Sequence, residues 1–110
     1  MKAAMQAYID SMNNKGAEAI IALFADNAVI EDPVGSQPMS GETIKAWFRK
    51  AVEMKTTLEL VAPIHGSHGS FAAMAFVVST YFDRQLIKIN SLETCDFNEA
   101  GKITHLKGYW

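Results

Sequence analysis

Asp32 stands directly before Pro33 and directly after Glu31, in the run LFADNAVIEDPVGSQPMSG from Leu23 to Gly41. Proline biases the residue before it toward an extended or turn backbone. Asp32 is therefore expected at a strand end or turn, beyond the short apolar run Ala28-Val29-Ile30. Val34, Gly35 and Pro38 continue the turn, and Ser40-Gly41 lead into the next helix. An acid fixed in this way among apolar neighbours is a candidate general base for proton abstraction. The same residues also suit a turn aspartate that bonds only its own backbone.

Two further polar groups fall where apolar residues are expected. Tyr8 shares the helical stripe of Met5, Ile9 and Met12, and a buried tyrosine hydroxyl needs a partner. Glu93 lies on the strand face Ile87, Ile89, Ser91, Glu93, Cys95, Phe97. If the alternation runs without a bulge, its carboxyl points to the apolar side. An ionised carboxylate there is costly unless paired, so three outcomes are open. It is a neutral hydrogen-bond donor, it pairs with a cation, or a bulge turns it outward.

The elements that must carry these residues follow from periodicity. Residues 2 to 13 read as a helix. After the break Asn13-Asn14-Lys15-Gly16, a second helix shows Ala17, Ile20, Ile21 and Phe24 on one face. So short a break makes the two antiparallel neighbours. A third helix over residues 42 to 51 buries Ile44, Trp47, Phe48 and Ala51. From Thr56 the period becomes two, with Leu58, Leu60 and Ala62 on one face. Residues 65 to 70, HGSHGS, read as a hairpin turn. Their H-x-x-H spacing offers only two of the three or four protein ligands a zinc site needs, and no metal is expected. Phe71 to Phe82 is a nearly all-apolar strand whose two faces both need cover, by helices on one side and by a pocket or a partner chain on the other. Asp83-Arg84-Gln85 turns it into the strand Leu86 to Phe97. Asn98 to Gly101 is another hairpin turn, and Lys102 to Trp110 is the last strand, with Thr104, Leu106, Gly108 and Trp110 on one face.

This order predicts an α+β fold: three helices packed on a curved antiparallel sheet, forming a cone with a deep apolar pocket. With 110 residues, 49% of them hydrophobic, a single domain over residues 1–110 is expected. The net charge of −2 and the lack of any basic run argue against nucleic-acid partners. The opening MKAAMQAYID is interrupted by Gln6 and Asp10. It reads as neither a signal peptide nor a membrane span. A lone cysteine, Cys95, excludes an internal disulfide framework. A cytoplasmic protein without membrane contact is the expectation. The chain ends at Trp110, and no tail to close over the sheet edge is expected.

The chain resembles the bacterial Δ5-3-ketosteroid isomerases, within the nuclear-transport-factor-2-like fold superfamily. The strongest match is ALFADNAVIEDPVGSQPMSG. It extends to the N-terminal tyrosine helix, the FNEAGKI hairpin and the aromatic end of the last strand, and is loose over residues 50 to 75. That family is itself the familiar worked case of pKa tuning, so the mechanism is inherited rather than deduced. An aspartate moves a proton from the carbon beside a ketone to a position two carbons along, while a tyrosine and a neutral acid stabilise the dienolate oxygen. The resemblance implies Asp32 as base, Tyr8 and Glu93 as donors, and Trp110 as the aromatic beside the base. By fold position it implies a lining of Met12, Leu58, Phe76, Val78 and Trp110. The implied ligand is a small hydrophobic ketone or steroid, with no cofactor, and the implied assembly is a homodimer packed through the sheets, which the two-sided strand Phe71 to Phe82 suits.

Two departures stand out. The family usually has aspartate where this chain has Glu93, one methylene longer. Some members surround the catalytic tyrosine with two more tyrosines, and Phe24 and Phe48 take those positions here. Three other readings share the fold: a cofactor-free dehydratase or polyketide-cyclase-type enzyme acting on another carbonyl compound, a non-catalytic small-molecule carrier or sensor, and a dimerising module with a vestigial pocket.

Overall fold

The computed structural model describes residues 1–110. Helix α1 (Lys2–Asn13) buries Met5, Tyr8, Ile9 and Met12, the residues its sequence stripe marks. Helix α2 (Ala17–Ile21) is shorter than its apolar spacing suggests, because Phe24 already belongs to strand β1 (Phe24–Glu31). The backbone at that point is claimed by the last strand, whose Ile103 N–H donates to the Leu23 carbonyl at 2.9 Å. Phe24 nevertheless stays on the core side and packs on Phe48, with ring centroids 5.3 Å apart. Helical spacing and strand burial coincide at this residue, so periodicity alone could not separate them.

A two-residue strand β2 (Met39–Ser40) leads into α3 (Glu42–Glu53). Ile44 and Phe48 are buried in the core, while Trp47 and Ala51 are half-buried against it. Then come β3 (Thr57–Leu60), the short β4 (His65–Gly66), β5 (Phe71–Phe82), β6 (Gln85–Phe97) and β7 (Ile103–Tyr109). The segment expected as a hairpin turn thus includes two residues, His65 and Gly66, that pair with Ala73 and Ala72 of β5. Asp83 and Arg84 make the β5–β6 turn with positive φ at both residues, 51° and 67°. That is the backbone a two-residue hairpin demands.

The sheet runs β2-β1-β7-β6-β5-β3, with β4 also on β5. It is unclosed and mixed rather than wholly antiparallel, since β1 lies parallel to β7. The expectation of hairpin-joined antiparallel strands holds from β5 to β7, where short turns force it. β1 and β7 are not linked by a hairpin. The chain returns to β1 only after the whole helix-and-sheet body, and that long connection permits parallel pairing.

The helices cover one face of this sheet, and the core fills the space between. Along β6, Ser91, Glu93, Cys95 and Phe97 are buried and alternate with more exposed residues. The β6–β7 register shifts only at Asp96/Phe97, beyond Glu93. No bulge intervenes, so the parity argument for an inward Glu93 holds.

Candidate active site

Asp32 lies one residue past the end of β1, where Glu31 pairs with Lys107 of β7. The Asp32–Pro33 peptide is cis. The turn that follows is tied to β7 by the Val34 N–H, which donates to the Gly108 carbonyl at 2.8 Å. Gly108 is the β7 residue paired with Glu93 on β6. Strand pairing alone therefore brings the Asp32 turn next to the Glu93 row.

Gly108 does more than hold the turn. A Cβ at this position would sit 2.8 Å from Asp32 Cγ and closer still to Oδ1. Only a residue without a side chain leaves room for the carboxyl over β7. The sequence reading placed Gly108 on one strand face with Thr104, Leu106 and Trp110 but gave it no role. An isolated glycine within a strand is the available signal, because it marks close approach by another group.

The structure gathers every residue expected at the site. Tyr8, Met12, Asp32, Leu58, Phe76, Val78, Glu93 and Trp110 line one cavity of about 290 Å³ between the helices and the inner sheet face. That is near the lower end of volumes usual for small-molecule sites, about 300–1,000 Å³. The same cavity takes in Trp47, Lys50, Ala51, Met54, Thr56, Thr80, Ile89 and Ser91. Trp47, read as core, is thus also a wall. Lys50, Thr56 and Thr80 were not expected there, since nothing in a surface lysine or isolated threonines signals a cavity. A larger groove of about 510 Å³ opens on the other side, around His65, Asp96, His105 and Lys107, and touches none of Tyr8, Asp32 or Glu93. No three histidine, cysteine or acidic residues converge as a metal site would need.

Within the cavity the acids experience different surroundings. Glu93 is 3% exposed and its Oε1 has no hydrogen-bond partner. Burial pushes its carboxyl well above the ordinary range, the Asp32 charge adds to this, and the Tyr8 hydroxyl draws it partly back. Burial therefore favours the protonated form of the Glu93 carboxyl. Its proton is available to donate, and it faces no cation. Tyr8 is 2% exposed. Burial raises its pKa well above the usual phenol value, helped by Glu93, Asp32 and Cys95. Phe48 packs edge-on against its ring at 5.8 Å. Phenylalanine at positions 24 and 48 offers Tyr8 no hydroxyl. Burial favours the proton-bearing form of both groups, and buried donors best stabilise a developing oxyanion.

Asp32 is half-buried. Burial raises its pKa, and the Trp110 indole N–H, donating to Oδ1 at 2.7 Å, opposes the shift. Trp110 itself is 60% exposed, so it holds the base from the solvent side. The two carboxyls are thus shifted unequally: burial raises Glu93 strongly, while at Asp32 the Trp110 N–H opposes the rise, the kind of split that separates an acid from a base. Replacing Trp110 by Phe removes the one interaction that favours ionised Asp32. The expected result is an acid limb of kcat/KM displaced to higher pH, read from a pH–rate profile. An unmoved limb would detach Trp110 from the base.

Glu93 also makes a stability prediction. Its folded-state pKa is raised, so the native state holds a proton the unfolded chain releases. Stability then falls as pH rises from the ordinary glutamate range through the raised folded value. Glu93→Gln should flatten that slope and gain stability over wild type at neutral pH. Urea midpoints at about pH 5 and about pH 8 measure the difference directly.

The chain also matches known proteins over nearly its whole length. The sequence model of the SnoaL-like domain matches residues 5–106. A steroid Delta-isomerase of Nocardioides simplex is 31% identical over 111 residues, covering 100% of this chain and 89% of the relative. Among solved structures, that of the epoxide hydrolase/cyclase-like enzyme SalBIII, described for pyran ring formation in the polyether salinomycin, superposes with a TM-score of 0.92. It is 27% identical and covers 99% of this chain and 88% of its own.

Proposed function

The chain belongs to the SnoaL-like domain family, and from that premise we propose that it is a cofactor-free isomerase that shifts a carbon–carbon double bond into conjugation with a ketone. The substrate is a flat ring ketone of the 3-oxo-Δ5-steroid class. The observation that carries the reading is Glu93: a buried carboxyl with an unpartnered oxygen, its pKa pushed up by burial, beside a buried tyrosine and in the same cavity as Asp32. An idle apolar pocket has no reason to keep such a group, whose burial is costly.

In the reaction the ketone oxygen takes hydrogen bonds from Tyr8 and Glu93. The Asp32 carboxylate removes a proton from the carbon between the ketone and the double bond. Electron density moves to the oxygen, giving a dienolate held by the two donors. Asp32, now protonated, returns the proton to the far carbon of the conjugated system, and the ketone re-forms. One base acting on one face of the bound ring serves both transfers. Met12, Leu58, Phe76 and Val78 form the apolar walls that keep water from the dienolate.

A second reading is favoured by one finding, the close superposition on an epoxide hydrolase/cyclase-like enzyme. In it, the same acids would open an epoxide instead, with the neutral acid protonating the leaving oxygen. Offering the protein a Δ5-3-ketosteroid and, separately, a hydroxy-epoxide, with NMR of the products, separates the two. The isomerase reading expects the vinyl proton of a conjugated enone from the first and no cyclic ether from the second. The reverse result would transfer the site to the cyclase class.

No helix of the structure is long and apolar enough to cross a membrane. The half-covered outer residues of β5, Ala73, Ala75 and Val77, support a homodimer packed through this sheet face.

A further inference from the structure

The cavity has a second polar end. On the inner face of the β5–β6 pair, Glu93 stands beside Met74, Ser91 beside Phe76, Ile89 beside Val78, and Ile87 beside Thr80. The six residue steps from Glu93 to Ile87 span about 20 Å of extended strand. Between the two ends the wall is apolar, made by Met12, Leu58, Phe76, Val78 and Ile89. At the far end Thr80, Thr56 and Lys50 line the same cavity.

This end has unspent hydrogen-bonding capacity. The Thr56 and Thr80 hydroxyls lie 2.9 Å apart, and either is able to donate to the other. Thr80 also reaches the Met54 carbonyl at 3.3 Å, which accepts the Tyr81 N–H at 3.0 Å as well. Thr80 has one proton to give, and giving it to Thr56, the nearer acceptor, leaves the Thr56 proton for a ligand. Lys50 is the only cation on the cavity wall, where the acidic side chains are Asp32 and Glu93. It touches Glu53 at 3.7 Å in an exposed pair, too weak a contact to hold it from a better acceptor.

We infer that the Lys50–Thr56–Thr80 end is a subsite for a carboxylate carried on the ligand's side chain, remote from the ketone. The inference rests on the isomerase reading for the identity of the ring ketone. The charge layout then fixes orientation. An anionic group is repelled by Asp32 at one end and attracted by Lys50 at the other, so only one way of entering puts the ketone on Tyr8 and Glu93. The span between the ends suits a fused ring system plus a side chain better than a bare ring system. The substrate class is accordingly a ring ketone with an acidic side chain, such as a partly degraded steroid.

The test is a matched pair of conjugated 3-ketosteroids, one with a side chain ending in a carboxylate and one its methyl ester, titrated calorimetrically against the full chain. Wild type should bind the acid about five- to tenfold more tightly than the ester, and the preference should shrink at high salt. Lys50→Met should bring the two affinities together, whereas Lys50→Arg should keep the preference. Lys50 is well exposed, so neither variant threatens the fold. Equal affinities in wild type, or a preference that survives Lys50→Met, would overturn the subsite. Isomerisation is read separately on the Δ5 forms. Turnover without acid preference sinks this inference alone, and acid preference without turnover sinks the isomerase reading alone.

Discussion

Asp32→Asn should bind a 3-ketosteroid at least as tightly as wild type and isomerise its Δ5 form about 10⁴-fold more slowly, the upper range for loss of a positioned base. The two side chains have the same shape, and the Trp110 indole, 2.7 Å from Oδ1, finds an amide oxygen in place of the carboxylate. Binding gains rather than loses. Burial opposes the charge on Asp32, and closing an apolar ligand over it adds to that penalty, which the neutral amide escapes. Rate and affinity therefore separate, a pattern that a merely structural aspartate would not give. Single-turnover kinetics beside an equilibrium titration check both halves. Parallel loss of binding and rate would place Asp32 in the scaffold.

Gly108→Ala should lower the same rate about 10²-fold or more, although residue 108 offers no side chain to the substrate. The added methyl group would overlap Asp32 Oδ1 and stand 2.8 Å from Cγ. Strand pairing to Glu93 fixes one side of Gly108, and its carbonyl holds the Val34 N–H at 2.8 Å. The clash is thus resolved by moving the carboxyl. A shift of about 1 Å at a catalytic group costs on the order of 10²-fold. Overpacking should also cost about 1–3 kcal/mol of stability. A double-mutant comparison isolates the cause: in an Asp32→Asn background, Gly108→Ala should slow the residual reaction little further. Independent, multiplying losses would mean that Gly108 acts elsewhere than through Asp32.

Much of this site was readable from the chain because its signals are local. Asp32 is tied to Pro33, Tyr8 to a helical stripe, and Glu93 to strand parity, and each needs only a short window of sequence. The parity argument succeeded because β6 keeps its register until Asp96. Helix α2 was over-extended because Phe24 lies at helical spacing and is buried in either conformation. The parallel β1–β7 pairing, Gly108 beneath Asp32, and Lys50 with Thr56 and Thr80 at the far end all depend on contacts between distant segments. Val34 meets Gly108 and Thr56 meets Thr80 only after the sheet has assembled. No local pattern encodes those meetings.

The central claim is that one cavity holds a base and two neutral donors around a ring ketone. It is tested most directly by the ultraviolet absorbance change on mixing the purified protein with a Δ5-3-ketosteroid, since only the conjugated product absorbs strongly. The account predicts a fast, protein-dependent rise, with an acid limb set by Asp32 and a loss of activity when Tyr8 and Glu93 ionise. A steroid that binds in the cavity without any rise in absorbance would contradict it.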